Sequence, residues 1–238
     1  MSNRPANTTK NLYPENARLS NKNLEIFFDS YFRDIPHSLM RKATEETATF
    51  VEKNMSLVKW MPDRWGVLDE AIKSVTVKNG IWIELGIYSG QTVNFIAERS
   101  GGNNIYGLDS FEGLPETWRA DFTKGMFSSQ TLPKVKKNVV VIKGLFDNTL
   151  PKILEKDQRN VSFLHIDCDL YSSTKKAFDL LRRRIIPGTV FVFDEFFNYP
   201  GWKLHEYRAF NELIMEDKIK YQYLCYARAH SQVALQII

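Results

Sequence analysis

Four carboxylates stand in two close pairs along the chain, Asp167 and Asp169 in HIDCDLY and Asp194 and Glu195 in FDEFF. Each pair ends an apolar run, VSFLHID over 161–167 and TVFVFD over 189–194. If these runs are neighbouring parallel strands, the four acids converge on one edge. Two carboxylates ~4 Å apart repel by about 4 kcal/mol at an effective dielectric of ~20. Such a group must protonate, spread apart or hold a cation. All-oxygen ligands suit a hard ion such as Mg²⁺, Mn²⁺ or Ca²⁺. A divalent ion lowers the pKa of a bound hydroxyl, and a positioned carboxylate can take the released proton. We assign Asp167, Asp194 and Glu195 to the metal and Asp169 to the base, within a set that titrates as one coupled group. The competing reading is helix capping, with Asp169 ahead of the Ser172 helix as its clearest case.

A second constellation lies in Glu84-Leu85-Gly86-Ile87-Tyr88-Ser89-Gly90-Gln91-Thr92, after the apolar run IWIEL. Glycines at a strand-to-helix turn let a ligand approach the backbone. A dinucleotide turn needs G-x-G-x-x-G, with a second glycine that leaves room for the pyrophosphate. Here Tyr88 fills that position, and no lysine follows in P-loop register. The spacing is E-x-G-x-x-x-G, and an acid before the turn suits a cationic ligand without phosphate. S-adenosylmethionine, with its ammonium and sulfonium, is such a ligand. Asp109, at the end of the next strand, is placed to accept bonds from two ribose hydroxyls. The candidate cofactor residues are Glu84, Gly86, Tyr88, Ser89, Gly90, Thr92, Asp109, Ser110, Phe111 and Asp167, with Gly144 and Phe146 where an adenine would rest. The bland alternative is a tight turn with close helix packing.

These residues need a scaffold. Five apolar runs (81–85, 104–109, 139–142, 161–167 and 189–194) alternate with helical patterns, and 221–226 and 232–238 close the chain as a hairpin. Continuous apolar strands imply a sheet covered on both faces. The expected fold is α/β: a doubly wound, Rossmann-like, mostly parallel sheet of seven strands with an antiparallel C-terminal hairpin. Residues 1–22 read as a flexible polar arm, 23–79 as a helical extension, and 80–238 as the catalytic domain. Asp63 caps a helix in the extension. Ligands in such sheets sit beyond the carboxyl ends of the strands, where every run except the third ends in an acid. Residues 120–136 read as a lid-like insertion. Tyr171, Tyr199 and Trp202 lie near the acids in sequence and offer aromatic faces to a sugar. His165 and Cys168 read as core residues.

Composition narrows the classes. The 238 residues carry 32 basic and 28 acidic side chains, 43% hydrophobic and 25% charged residues, as in a globular chain. No apolar stretch approaches the ~20 residues of a membrane span, and MSNRPANTTKN shows no secretory h-region. Two cysteines make neither a disulfide framework nor a zinc site, so a cytoplasmic setting is expected. Arg182-Arg183-Arg184 ends a helix on the edge opposite the acids, which argues against a nucleic-acid partner. The apolar face over Leu39–Val58 suits covering an acceptor, packing on the sheet, or contact with a second copy in a homo-oligomer.

The strings DSFEGLPE (109–116), HIDCDLYSST (165–174) and DEFFNYPGW (194–202) resemble the macrocin and novobiocin type of sugar O-methyltransferases, within the class I S-adenosylmethionine-dependent enzymes. The resemblance covers roughly 65–238. It implies Mg²⁺-dependent methylation of a glycoside or polysaccharide hydroxyl, with the metal on Asp167, Asp194 and Glu195 and Asp169 as base. The chain departs from that pattern at Ile87–Gly90, where many relatives carry an arginine and a second glycine, and at the Asp-Glu pair, where they carry Asp-Asp. Two other readings stay open: a catechol or small-phenol acceptor, and a non-catalytic S-adenosylmethionine-binding module. An NAD-dependent oxidoreductase is disfavoured by Tyr88.

Overall fold

The apolar runs pair into a single mixed sheet. The computed structural model describes residues 21–238, so the predicted arm falls outside the described residues except for Asn21 and Lys22, which begin a helix. In chain order the elements are α1 (Asn21–Phe28), a π-helical turn (Asp29–Arg33), α2 (Ile35–Asn54), β1 (Lys59–Met61), α3 (Arg64–Lys73), β2 (Ile81–Leu85), α4 (Gln91–Arg99), β3 (Ile105–Asp109) and β4 (Val139–Lys143). There follow α5 (Phe146–Lys156), β5 (Val161–Ile166), α6 (Tyr171–Leu181), β6 (Val190–Phe193), α7 (Glu206–Glu216), β7 (Tyr221–Ala227) and β8 (Val233–Ile237).

The spatial order is β1-β7-β8-β6-β5-β2-β3-β4. β8 runs antiparallel to both its neighbours, β6 and β7, and the other pairings are parallel. The sheet thus has eight strands where seven were expected. The added strand, Lys-Trp-Met, pairs with Cys225–Ala227 at the edge. Three half-exposed residues give no alternation to read. Within residues 23–79, Lys59–Met61 supplies a sheet strand and α3 covers one face of the sheet.

Both faces are covered. Ile81, Ile83 and Leu85 point into a core shared with Leu150 and Ile153 of α5, Phe178 of α6 and Phe210 of α7. Trp82 and Phe163, their rings stacked 4.9 Å apart, face Val67, Leu68 and Ile72 of α3 and Val93 and Ile96 of α4. Asp63 caps α3 by accepting the Gly66 N–H at 2.9 Å, as its position before the helix predicts. No side chain caps α6, neither Asp169 nor a serine. The helix begins at Tyr171 with Leu170 as an uncapped N-cap residue, and the Ser172 hydroxyl donates instead to Glu116 at 2.5 Å.

β2 lies between β3 and β5, and the connections leave it in opposite directions, which opens a crevice at its carboxyl end. Gly86 sits in this crevice at φ +89°, and a Cβ there would lie 1.9 Å from the Asp167 carbonyl oxygen. The close approach that requires a glycine is therefore the neighbouring strand's backbone. Gly86→Ala is expected to cost about 3 kcal/mol through overpacking and left-handed strain. Its urea midpoint should fall markedly, and an unchanged midpoint would show that β5 has room to retreat.

Candidate functional site: a carboxylate-lined cavity at the sheet edge

A cavity of about 500 Å³ opens beyond the carboxyl ends of β2 to β6. Each strand end contributes: Gly86 and Tyr88 after β2, Asp109 and Ser110 after β3, Gly144 and Phe146 after β4, Asp167 and Asp169 after β5, Asp194 and Glu195 after β6. The crossing segment between β3 and β4 forms the opposite wall with Leu114, Trp118, Arg119, Phe122 and Phe127. Arg64 of α3 and Lys176 of α6 also line the cavity.

Of the candidate cofactor residues, Gly86, Tyr88, Asp109, Ser110, Gly144, Phe146 and Asp167 line this cavity. Glu84, Ser89, Gly90, Thr92 and Phe111 do not, each for a local reason. Glu84 is fully buried beneath the turn, where Oε1 accepts the Thr92 hydroxyl and lies 3.3 Å from His165 Nδ1. Thr92 is thereby occupied. Ser89 is exposed on the outside of the turn, and Gly90 packs under Pro133. Phe111, at φ +56°, turns its ring into the core beside α4. The expected core histidine is indeed fully buried, and neither ring nitrogen has a hydrogen-bond partner among the described residues. Glu84 Oε2 is also without a partner among the described residues, which leaves an unsatisfied carboxyl oxygen below the first turn. Cys168 is half-buried: it packs against the core, as expected, with its Sγ 3.4 Å from the buried Thr174 hydroxyl, and it also borders the cavity.

Asp109 holds the two turns together. Its Oδ2 accepts the N–H groups of Ile87 at 3.0 Å and Tyr88 at 2.8 Å, and its Oδ1 accepts that of Phe111 at 2.7 Å. A carboxylate offers roughly four acceptor positions, so most of Asp109 goes to shaping backbone. The same carboxylate lines the cavity, where ribose contacts are expected of it.

The four acids share one field. Burial first, then the charge of Asp194, pushes Asp169 up to about 7 and Glu195 up to about 8. The same two causes, with Asp169 and Glu84 adding to them, raise Asp167 well above the usual carboxylate range. Two cations oppose this. Arg64 Nη2 lies 3.4 Å from Asp194 Oδ2, and the Arg119 guanidinium acts against the rise at Asp169 and Glu195. Gln232 fixes the other Asp194 oxygen at 3.1 Å.

The donor set suits a hard divalent cation, with carboxylate oxygens on one wall and no thiol or imidazole among the four acids. Among the described residues, however, the trio whose ligand atoms all fall within 4.8 Å of one another is Glu84, His165 and Asp167. Asp167, Asp194 and Glu195 face one cavity without being gathered onto one point.

The expected aromatic platform lies elsewhere. Tyr199 and Trp202 are 2% and 1% exposed and do not line the cavity. Left-handed backbone at Asn198 and Gly201 turns this segment inward, so Trp202 meets Phe50 and Tyr207. Tyr171 lies outside the cavity, and its hydroxyl donates to Glu212 at 2.7 Å. The aromatic wall comes instead from Trp118, Phe122 and Phe127, with Arg119 4.3 Å from the centroids of both the Trp118 and Phe122 rings. Only the cluster of aromatics and Arg119 between Trp118 and Phe127 in an otherwise polar stretch signals it in the sequence.

Comparison with known proteins agrees with this architecture. Residues 83–196 match the family described as a methyltransferase domain. No curated protein matches the chain by sequence. Among solved structures, the calicheamicin methyltransferase CalS11 aligns at a TM-score of 0.60 and 20% identity, over 91% of this chain and 93% of that one. The O-methyltransferase NovP aligns at 0.56 and 18%, over 73% and 78%. An apo structure of CalS11, described as a TDP-rhamnose 3'-O-methyltransferase, aligns at 0.54 and 17%, over 88% and 98%. The chain has the class I methyltransferase fold, and the matched methyltransferase domain spans the ends of β2 to β6 that line the cavity.

Proposed function

We propose that this chain is an S-adenosylmethionine-dependent, divalent-metal-dependent O-methyltransferase whose acceptor is a sugar hydroxyl. The observation that carries the reading is the wall of Asp167, Asp169, Asp194 and Glu195 facing the crevice beside β2. The unsatisfied Glu84 oxygen under the first turn supports a cationic cofactor there. The acceptor class draws support from the structural likeness to a protein described as a sugar O-methyltransferase. The cavity's aromatic wall, suited to the C–H face of a sugar ring, points the same way.

S-adenosylmethionine supplies a methyl group on a sulfonium and leaves as a neutral thioether. Asp167, Asp194 and Glu195 would hold a divalent cation, which would supply a Lewis acid lowering the pKa of the acceptor hydroxyl. The chain's own residues do the rest. Gly86 and Tyr88 line the cofactor side, and Asp109 fixes their backbone. Asp169 accepts the hydroxyl proton as the acceptor oxygen forms its bond to the methyl carbon. A group pushed up to about 7 is well matched to that task near neutrality. Trp118 and Phe122 exclude water from the acceptor side.

Asp169→Asn is expected to lower turnover by about 10²-fold or more with cofactor affinity retained. Turnover close to wild type, measured by mass spectrometry of methylated sugar acceptors, would remove Asp169 from the chemistry. Methylation confined to phenols in the same panel would move the acceptor class.

The raised acids also set a pH dependence. Between the unfolded carboxyl range and about pH 8 the folded, metal-free protein binds more protons than the unfolded chain, so its stability falls as pH rises. The melting temperature without metal should therefore drop between pH 6 and 9. Added Mg²⁺ should restore it by an increment that grows with pH, since the ion displaces those protons. A Mg²⁺ increment that is absent, or that shrinks with rising pH, would contradict metal binding at these acids.

A further inference from the structure

Glu206 is a fully buried glutamate that the proposed chemistry does not use. It opens α7, yet no salt bridge compensates it among the described residues, and its side chain leaves its own helix. Oε1 accepts the N–H groups of Cys168 at 3.3 Å and Asp169 at 3.1 Å, both on the loop after β5. Oε2 accepts the N–H of Glu195 at 3.2 Å, on the loop after β6. One carboxylate thus binds the backbone of both acid-bearing loops, one oxygen to each.

The loop after β5 needs such a hold. Asp169 sits at φ +62°, a left-handed conformation that costs free energy for a residue with a Cβ. It is the middle of a tight turn in which the Leu170 N–H donates to the Cys168 carbonyl at 2.6 Å. Two of that turn's three residues donate to Glu206. The turn also decides where the Asp169 side chain points, because a return to φ below zero would swing it away from its present place on the cavity wall.

We infer that Glu206 is a positioning residue: through its two oxygens it sets the register between the Asp169 turn and the Glu195 loop, and so the spacing of the base and the metal-side acid. Its effect on methyl transfer rests on the function proposed above, while its effect on the loops does not.

Amide hydrogen exchange on the ligand-free protein tests the anchor directly. Glu206→Gln keeps volume but turns an amide N–H₂ toward one of the loops, where it meets a donor with a donor. Exchange should rise about tenfold or more over 167–171 or 194–199 and stay unchanged over the first turn, 86–90. Unchanged exchange in both loops, or an equal rise at the first turn, overturns the inference. Glu206→Asp, with its carboxyl group kept and one methylene lost, should hold one loop and release the other; equal protection of both would also overturn it. Wild-type protein gives a further reading if neither variant folds: the Asp169 and Glu195 amides should be slow to exchange although both stand on loops, and fast exchange at either defeats the anchor. In turnover, Glu206→Gln should lower kcat about tenfold or more, with KM for S-adenosylmethionine within about twofold of wild type. Normal kcat beside loosened loops would end the link to catalysis. An inactive wild type would count against the methyl-transfer reading alone.

Discussion

Negative charge held away from water at the carboxyl edge of the sheet is the constraint around which the rest of this molecule is arranged. Parallel strands with apolar interiors bring Asp109, Asp167, Asp194 and Glu195 to one rim, and α7 adds Glu206 behind them. Several compensations coexist. Asp109 and Glu206 each take three backbone N–H groups. Arg64 and Gln232 hold Asp194. Burial and mutual repulsion push Asp169 and Glu195 toward protonation near neutral pH. Asp109, Asp167, Asp169, Asp194 and Glu195 all face the cavity, while Glu206 lies behind them with its oxygens taken up by loop N–H groups.

Residue type alone does not show how many tasks one acid carries. Asp109 at a strand end lines the cavity and also accepts three backbone N–H groups. Glu84 looks like a turn residue at the ligand, yet it is buried with Thr92 and His165 on the face covered by α4. Its one unsatisfied oxygen keeps it relevant to a cationic ligand without placing it on the cavity wall.

Much of the fold is legible in the sequence because strands buried on both faces must be apolar throughout. VSFLHI and VFVF are such runs, and the acids that follow them, Asp167 and Asp194, stand at the edge, whereas IWIEL carries its acid, Glu84, inside the buried strand. What stays hidden depends on long-range contacts. β1 exists because β7 offers it an edge. The aromatic wall comes from 114–127, where no periodicity marks a face. Tyr199 and Trp202 lie close to the acids in sequence, but two left-handed residues turn them into the core against α2. Glu206 lies 11 residues after Glu195 and 37 after Asp169, and nothing in that spacing announces that it joins them.

The central claim is that Asp167, Asp194 and Glu195 close around a divalent ion. Diffraction from crystals grown with Mn²⁺ and S-adenosylhomocysteine, using the anomalous signal of manganese, tests it most directly. The account predicts one strong peak bounded by oxygens of Asp167, Asp194 and Glu195, with Arg64 displaced from Asp194 or sharing it. A cavity without an anomalous peak, with Asp194 still on Arg64 and Asp169 and Glu195 still facing Arg119, would contradict it.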